Sequence, residues 1–174
     1  MRRRQNTIVS SPPSTVTIRR QLRDGDRGAI VDLHRAVYSR EYGLGETFVR
    51  GVADGVAAAI ERGWPARSGA GWLIGDDGRL SGCLALTDEG ATGRVRWFVL
   101  APELRGLGLG QQLLAELLKE ARDACHERLE LETFSALRAA AHLYRAAGFR
   151  VASQRETDMW GPPIVFQRYE LWLS

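Results

Sequence analysis

The sequence predicts an α+β domain built on a mixed, mostly antiparallel sheet flanked by helices, and three observations carry that prediction. Extended and helical patterns follow one another in the order β-α-α-β-β-β-α-β-α-β-β without an internal repeat. Three extended runs stand in a row, two of them around Asp77-Gly78, the strongest hairpin signal in the chain. The third of these runs is joined to an amphipathic helix by Leu104-Arg105-Gly106-Leu107-Gly108-Leu109-Gly110, with glycine on three alternate positions. Glycine is entropically costly there, so something needs the bare backbone.

The chain's 174 residues suit one domain with a sizeable core. Apolar residues at 44% and charged residues at 26% are ordinary globular values, and no apolar run is long enough to span a bilayer. The start, Met-Arg-Arg-Arg-Gln-Asn, has no apolar stretch behind it and does not read as a secretory signal, so a cytoplasmic protein is expected. Residues 1–14, ending in Ser-Ser-Pro-Pro-Ser, read as a flexible basic arm ahead of a single domain over residues 15–174. The net charge of +3 owes much to that arm, and clustered bases on a folded element are what a nucleic-acid surface would require. Cys83 and Cys125 lie far apart in apolar patterns and read as buried free thiols, and no metal-ligand spacing is visible.

Thr15 to Arg19 alternates as a short strand, and Asp24 offers an N-cap to a helix that places Ile30, Leu33 and Val37 on one face. Glu41 to Gly45 interrupts. Phe48, Val52, Val56, Ala59 and Ile60 then recur at helical spacing until Gly63 and Pro65. The hairpin follows, and Val95 to Leu100 makes the third strand of a meander. After the glycine run, Leu113, Leu114, Leu117, Leu118, Ala121 and Cys125 form one helical face. Leu129 and Leu131 alternate with Glu130 and Glu132 as a strand; Ala136 to Ala147 forms a helix closed by Gly148; and Phe149 to Thr157 and Ile164 to Leu173 finish the sheet.

A glycine turn between strand and helix suits an anion, because the first amides of a helix lack intrahelical partners and the helix dipole adds positive potential. A dinucleotide fingerprint starting at Gly106 would need its third glycine at Gln111, and a P-loop would need Gly-Lys-Ser/Thr, so neither applies. Instead, Arg105 to Gly110 resembles the R/Q-x-x-G-x-G/A turn of the GCN5-related N-acetyltransferase (GNAT) superfamily. Ala139 to Phe149, A-A-A-H-L-Y-R-A-A-G-F, is similar to that family's A-x-x-L-Y-x-x-x-G-F helix ending. More narrowly, R-W-F-V-L-A-P-E-L-R-G-L-G-L-G, L-E-T-F and W-G-P-P-I-V-F-Q-R-Y-E-L look like the acetyltransferase domains fused behind MarR-type regulators. The resemblance covers the chain from about Val16 onward.

It implies the GNAT fold, acetyl-CoA as cosubstrate and transfer to an amine of a small molecule, peptide or protein. It also implies that Arg105, Gly106, Leu107, Gly108, Leu109, Gly110 and Gln111 hold the pyrophosphate, and that Phe98, Val99 and Leu100 pair with the pantetheine arm. The motif tyrosine, Tyr144, would stand beside the CoA sulfur. Two departures matter: nothing reads as a helix-turn-helix, so nucleic acid is not an expected partner, and Leu137 stands where many relatives carry asparagine. No metal and no membrane partner are expected, and a homodimer is left open.

An amine attacks a thioester only as the free base, and a lysine-like ammonium of pKa near ~10.4 is neutral about once in 2,500 molecules at pH 7. A base is therefore pressing for such a substrate and dispensable for a less basic one. Glu132, His142 and Glu46 are the candidates: Glu132, on the strand after the cofactor helix, faces either the cleft or, as the polar half of an alternating strand, solvent, and His142 lies two residues before Tyr144 on a helical face turned away from it. Glu41, Tyr42, Glu46 and Trp160 fall on segments expected to border the acceptor, and Gln167 lies in the same tail. A non-catalytic acyl-CoA sensor is the competing reading, since the binding turn is clearer than the base.

Overall fold

The structure of the protein, a computed structural model, describes residues 16–76 and 78–173; the basic arm expected over residues 1–14 lies outside them. Seven strands form one sheet in the order β1-β2-β3-β4-β5-β7-β6. They are β1 (Thr17–Arg19), β2 (Ala70–Asp76), β3 (Arg79–Glu89), β4 (Thr92–Leu100), β5 (Arg128–Phe134), β6 (Arg150–Thr157) and β7 (Ile164–Trp172). Every neighbouring pair is antiparallel except β4 with β5. That exception follows from connectivity, because the helix α4 (Leu109–Asp123) carries the chain back over the sheet before β5 begins.

Strand alternation sorts the core into two layers. Trp72, Ile74, Leu84, Leu86, Leu129 and Leu131 face α4 and α5 (Arg138–Ala146), and meet the buried Leu113, Leu114, Leu117 and Tyr144. On the other face Leu73, Cys83, Ala85, Trp97 and Phe134 meet Ile30 and Leu33 of α1 (Asp26–His34) and Phe48, Val52 and Val56 of α3 (Glu46–Glu61). The i, i+3, i+4 spacing that forms these helices in the sequence is thus the spacing that buries them.

Three local expectations are corrected. The first helix is capped by Gly25, in the left-handed conformation, and not by Asp24. Asp26 instead takes both the Arg19 guanidinium, at 2.9 Å, and the Arg23 amide, at 2.6 Å. A charge-assisted pair reaching across to β1 outweighs a local cap. Cys125 is exposed at a positive φ of 58° just past α4, while Cys83 is buried as expected. The second motif helix begins at Arg138 rather than Ala136, two residues inside the expected span.

Between α1 and the short α2 (Arg40–Tyr42) the chain winds as a π-helix over Arg35–Ser39. Such widened turns are uncommon and gather at functional sites. The Ser39 hydroxyl donates to the Leu44 carbonyl at 2.7 Å, fixing the exit of this segment. The Gly45 amide donates to the Trp160 carbonyl at 2.8 Å, so the β6–β7 connection is tied to the α2–α3 link.

Candidate active site

The site begins where two parallel strands part. β4 and β5 are paired only from Thr92 opposite Arg128 to Val95 opposite Leu131. Beyond that point β4 stays on β3, with Leu100 opposite Gly82, and β5 stays on β7, with Phe134 opposite Phe166. The residues after Val95 and Leu131 therefore line a wedge-shaped gap. A bulge in the β3–β4 register sharpens it, with Trp97 at a φ of 49° that bulky side chains rarely adopt. The extra residue turns two consecutive side chains, Arg96 and Trp97, toward Gly55 of α3.

Beside the glycine turn the gap opens into a cavity of about 240 Å³ lined by Phe98, Val99, Leu100, Arg105, Gly106 and Gly110, among others. Six of the ten residues expected to hold the cofactor thus share one cavity. Leu107, Gly108, Leu109 and Gln111 complete the turn and the first turn of α4. Gly106 and Gly108 have positive φ, 74° and 76°, and a Cβ at either would meet no atom within 4 Å. The glycines answer to backbone conformation and open space, not to crowding within the chain. The Gln112 amide is the first to bond within the helix, to the Gly108 carbonyl at 3.1 Å, which leaves the amides of Leu109, Gly110 and Gln111 without an intrahelical partner. Open room and unspent donors fit a phosphate group.

The Arg105 guanidinium is spent inside the chain. It makes two hydrogen bonds of 2.9 Å to the Glu41 carboxylate and a third of 3.0 Å to the Leu100 carbonyl, and its own amide donates to Pro102. Glu41, expected near the acceptor, is thereby turned to the glycine turn and braces it. An exposed pair of this kind contributes only about 0.2–1 kcal/mol, so its effect is positional.

A second cavity, of about 330 Å³, extends under α1 and α3. Its apolar walls are the rings of Tyr38, Phe48, Trp97, Phe134 and Trp160, and Glu132 lines it too. Glu132 is half exposed and stands 3.5 Å from Arg94, which also holds Glu89 and Glu130. Tyr42 lines the other cavity and packs edge-on against Phe134. Glu46 is exposed at the start of α3, paired with Arg35. Gln167 is buried between Gln154 and Tyr169, away from both cavities, and His142 is exposed on α5.

Tyr144, Tyr38, Phe98, Leu137 and Ala140 line both cavities, so the two meet at these residues. Burial, then the neighbouring Tyr38 and Tyr169, pushes the Tyr144 phenol well above its usual range, and it stays protonated at neutral pH. Leu137 adds an apolar wall to the junction. Tyr38 at this junction and His34 in the larger cavity had no signal in the sequence. The Tyr38 hydroxyl donates to the Phe98 carbonyl at 3.3 Å, and His34, buried below it, donates from Nδ1 to the Ile30 carbonyl at 2.7 Å. Neither belongs to a motif; each reaches the site only through the π-helical segment and the packing of α1. Among the described residues no cluster of three or more His, Cys, Asp or Glu side chains could hold a metal ion, and no helix is long and apolar enough to cross a membrane.

The model of the acetyltransferase (GNAT) family matches residues 35–149, from the π-helical segment through β4, the glycine turn and α5 to Phe149. The chain belongs to this family. It is a GNAT N-acetyltransferase by fold and by family, and the family uses acetyl-CoA as acyl donor and amines as acceptors. A relative in Schizosaccharomyces pombe, an uncharacterized N-acetyltransferase, is 26% identical over 136 residues, which are 77% of this chain and 82% of that protein. Among solved structures, an acetyltransferase from Streptococcus agalactiae superposes with a TM-score of 0.73 at 21% identity, covering 91% of this chain and 98% of that one. The ribosomal-protein-S18-alanine N-acetyltransferase of Escherichia coli does so with a TM-score of 0.67 at 18% identity, over 92% and 95%. At these identities the structural likeness speaks for the fold: a seven-stranded mixed sheet flanked by helices, parted between β4 and β5.

Proposed function

We propose that this GNAT protein transfers the acetyl group of acetyl-CoA directly to a primary amine, as a single cytoplasmic domain from residue 15 onward, close in kind to the MarR-fused acetyltransferase domains. The observation that carries the proposal is the meeting of two cavities at Tyr144, one against the glycine turn and one among aromatic rings. That arrangement lets a donor and an acceptor approach one point from opposite sides. Acetyl-CoA, when bound, supplies an acyl group activated as a thioester.

The residues of the chain would divide the work as follows. The amides of Gly106 to Gln111 hold the pyrophosphate, and the edge of β4 from Phe98 to Leu100, which β5 leaves uncovered, takes the pantetheine amides as an added strand that shares or displaces the Tyr38 and Arg105 hydrogen bonds on the Phe98 and Leu100 carbonyls. A β4 amide in the gap donates to the oxyanion that develops on the carbonyl. Glu132, on the wall of the acceptor cavity, draws the ammonium in and relays its proton toward solvent. The Tyr144 hydroxyl donates a hydrogen bond to the departing thiolate. With the phenol pushed above its usual range and a thiol near ~8.5, complete proton transfer from Tyr144 is uphill, so the thiolate's proton comes finally from the amine or from water.

Calorimetric titration with acetyl-CoA, followed by release of free CoA across a panel of amines, tests the proposal. Saturable binding with amine-dependent release supports it. Binding without any amine-dependent release would instead favour an acyl-CoA sensor, and no binding would end both readings.

A further inference from the structure

The acceptor cavity holds two arginines two residues apart on β4, and they are used differently. Arg94 is surrounded by carboxylates: Glu89 at 3.1 Å, and Glu130 and Glu132 at 3.5 Å each. Arg96, half buried on the same wall, has no ion pair or side-chain hydrogen bond among the described residues. Its guanidinium lies over the Trp97 ring at 4.7 Å and presses on α3 where Gly55 leaves room; a Cβ there would stand 2.7 Å from Nη2. The β4 bulge thus holds Arg96 at the cavity instead of letting it turn to solvent. Burial, then the neighbouring Arg94, pushes its pKa below the ordinary arginine value, with Glu89 and Glu132 opposing. A guanidinium withdrawn from water without an anion is unfavourable, and its fork of donors suits a carboxylate.

We infer that the acceptor is a small amine that also carries a carboxylate and an apolar body, an amino-acid-like substrate whose acid group pairs with Arg96. The body would sit among Tyr38, Phe48, Phe134 and Trp160. The volume, about 330 Å³, is at the small end for a ligand site and suits one such molecule. Arg96 lines this cavity and not the one beside the glycine turn, which separates it from the CoA phosphates. This inference rests on the acetyl-transfer reading of the same site.

The test uses matched pairs that differ in the acid alone. Phenylalanine and phenethylamine are compared as acceptors by kcat/KM, and their N-acetyl products are compared as ligands by calorimetry, which needs no turnover. The wild-type protein is expected to favour the acid in each pair by roughly 10- to 100-fold, the range of a hydrogen bond to a charged group. In Arg96→Gln the ratio should fall to about one, and Arg96→Lys, which keeps the charge, should recover part of it. Melting temperatures identify any variant that fails to fold. Equal ratios in the wild type, a ratio that Arg96→Gln leaves in place, or no saturable binding of N-acetylphenylalanine at millimolar concentration would each overturn the inference. If acetyl-CoA itself does not bind, the transfer reading has failed; if it binds and amines turn over without preference for the acid, only this inference has.

Discussion

Tyr144 packs the core and, in the proposed reaction, donates to the departing thiolate, and the two roles are separable. Its ring packs against Phe149 at 5.9 Å, Tyr169 at 6.0 Å and Phe98 at 6.3 Å, and the side chain is buried in the layer beneath α4 and α5. Its hydroxyl belongs to the junction of the two cavities. Tyr144→Phe retains the packing and loses the hydrogen bond to the thiolate, so folding and acetyl-CoA affinity are expected to hold while kcat falls by about 10²–10⁴-fold. Tyr144→Ala should in addition lose about 3–5 kcal/mol of stability through the cavity it leaves. Steady-state kinetics with a confirmed acceptor, together with urea melts, read the two effects apart. Wild-type turnover in Tyr144→Phe would reduce the residue to packing. The sequence pointed to Tyr144 because its motif is local, spanning Ala139 to Phe149. It did not point to Arg105 and Glu41 as partners, since they are 64 residues apart and nothing in either segment marks the other.

At the scale of elements, the glycine turn and the β4 edge that β5 leaves uncovered work together in the proposed binding of acetyl-CoA, and each part has its own test. Gly108 caps α4 at a φ of 76° with nothing within 4 Å of where a Cβ would stand. A branched residue would be strained there and would occupy the room a phosphate needs, so Gly108→Val should weaken acetyl-CoA binding at least tenfold by calorimetry. A folded variant with unchanged affinity would remove the pyrophosphate from this turn. The β4 edge predicts slower hydrogen exchange at Phe98 to Leu100 when CoA is added, with little change at Thr92 to Val95, which β5 already covers. Equal exchange with and without CoA would place the pantetheine elsewhere. Helices, strands and the turn were legible because each is written in local spacing: apolar residues at 3.6 or 2 and glycines at fixed offsets. The π-helical turn over Arg35–Ser39 and the bulge at Trp97 were not. Both add one residue to a regular pattern, and the packing that repays the irregularity comes from elements far along the chain.

At the scale of the molecule, α1 carries a buried histidine, His34, that lines the larger of the two cavities and must stay neutral. Burial pushes His34 down to about 4, against the opposing hydrogen bond its Nδ1 donates to the Ile30 carbonyl, and its ring stacks on Tyr38 at 5.7 Å. The unfolded chain takes up this proton near its ordinary value of about 6.5, whereas the folded protein resists until about 4. Between those values the unfolded state binds more protons, so stability is complete above pH 6.5 and declines as the pH falls toward 4. The full decline is about 3 kcal/mol, which is a large share of the stability of a domain this size. Asp26 acts in a lower window: although its burial alone would raise it, the Arg19 guanidinium and the Arg23 amide bring its carboxyl below the usual value, and the stability it contributes is lost only as the pH falls through that lower range. The two are distinguished by replacing His34 with a ring that cannot titrate. Urea unfolding of wild type and His34→Phe at pH 7.5, 6.5, 5.5 and 4.5 should give free energies that fall more steeply for the wild type, the difference growing by about 2–3 kcal/mol between pH 6.5 and 4.5. Because the π-helical segment that continues α1 supplies Tyr38 to both cavities, the acid-weakened wild type should also lose acetyl-CoA affinity in that window before it unfolds. Parallel stability curves for the two proteins would mean that His34 is protonated in the fold as readily as in the unfolded chain, and that the acid sensitivity of this layer lies in its carboxylates.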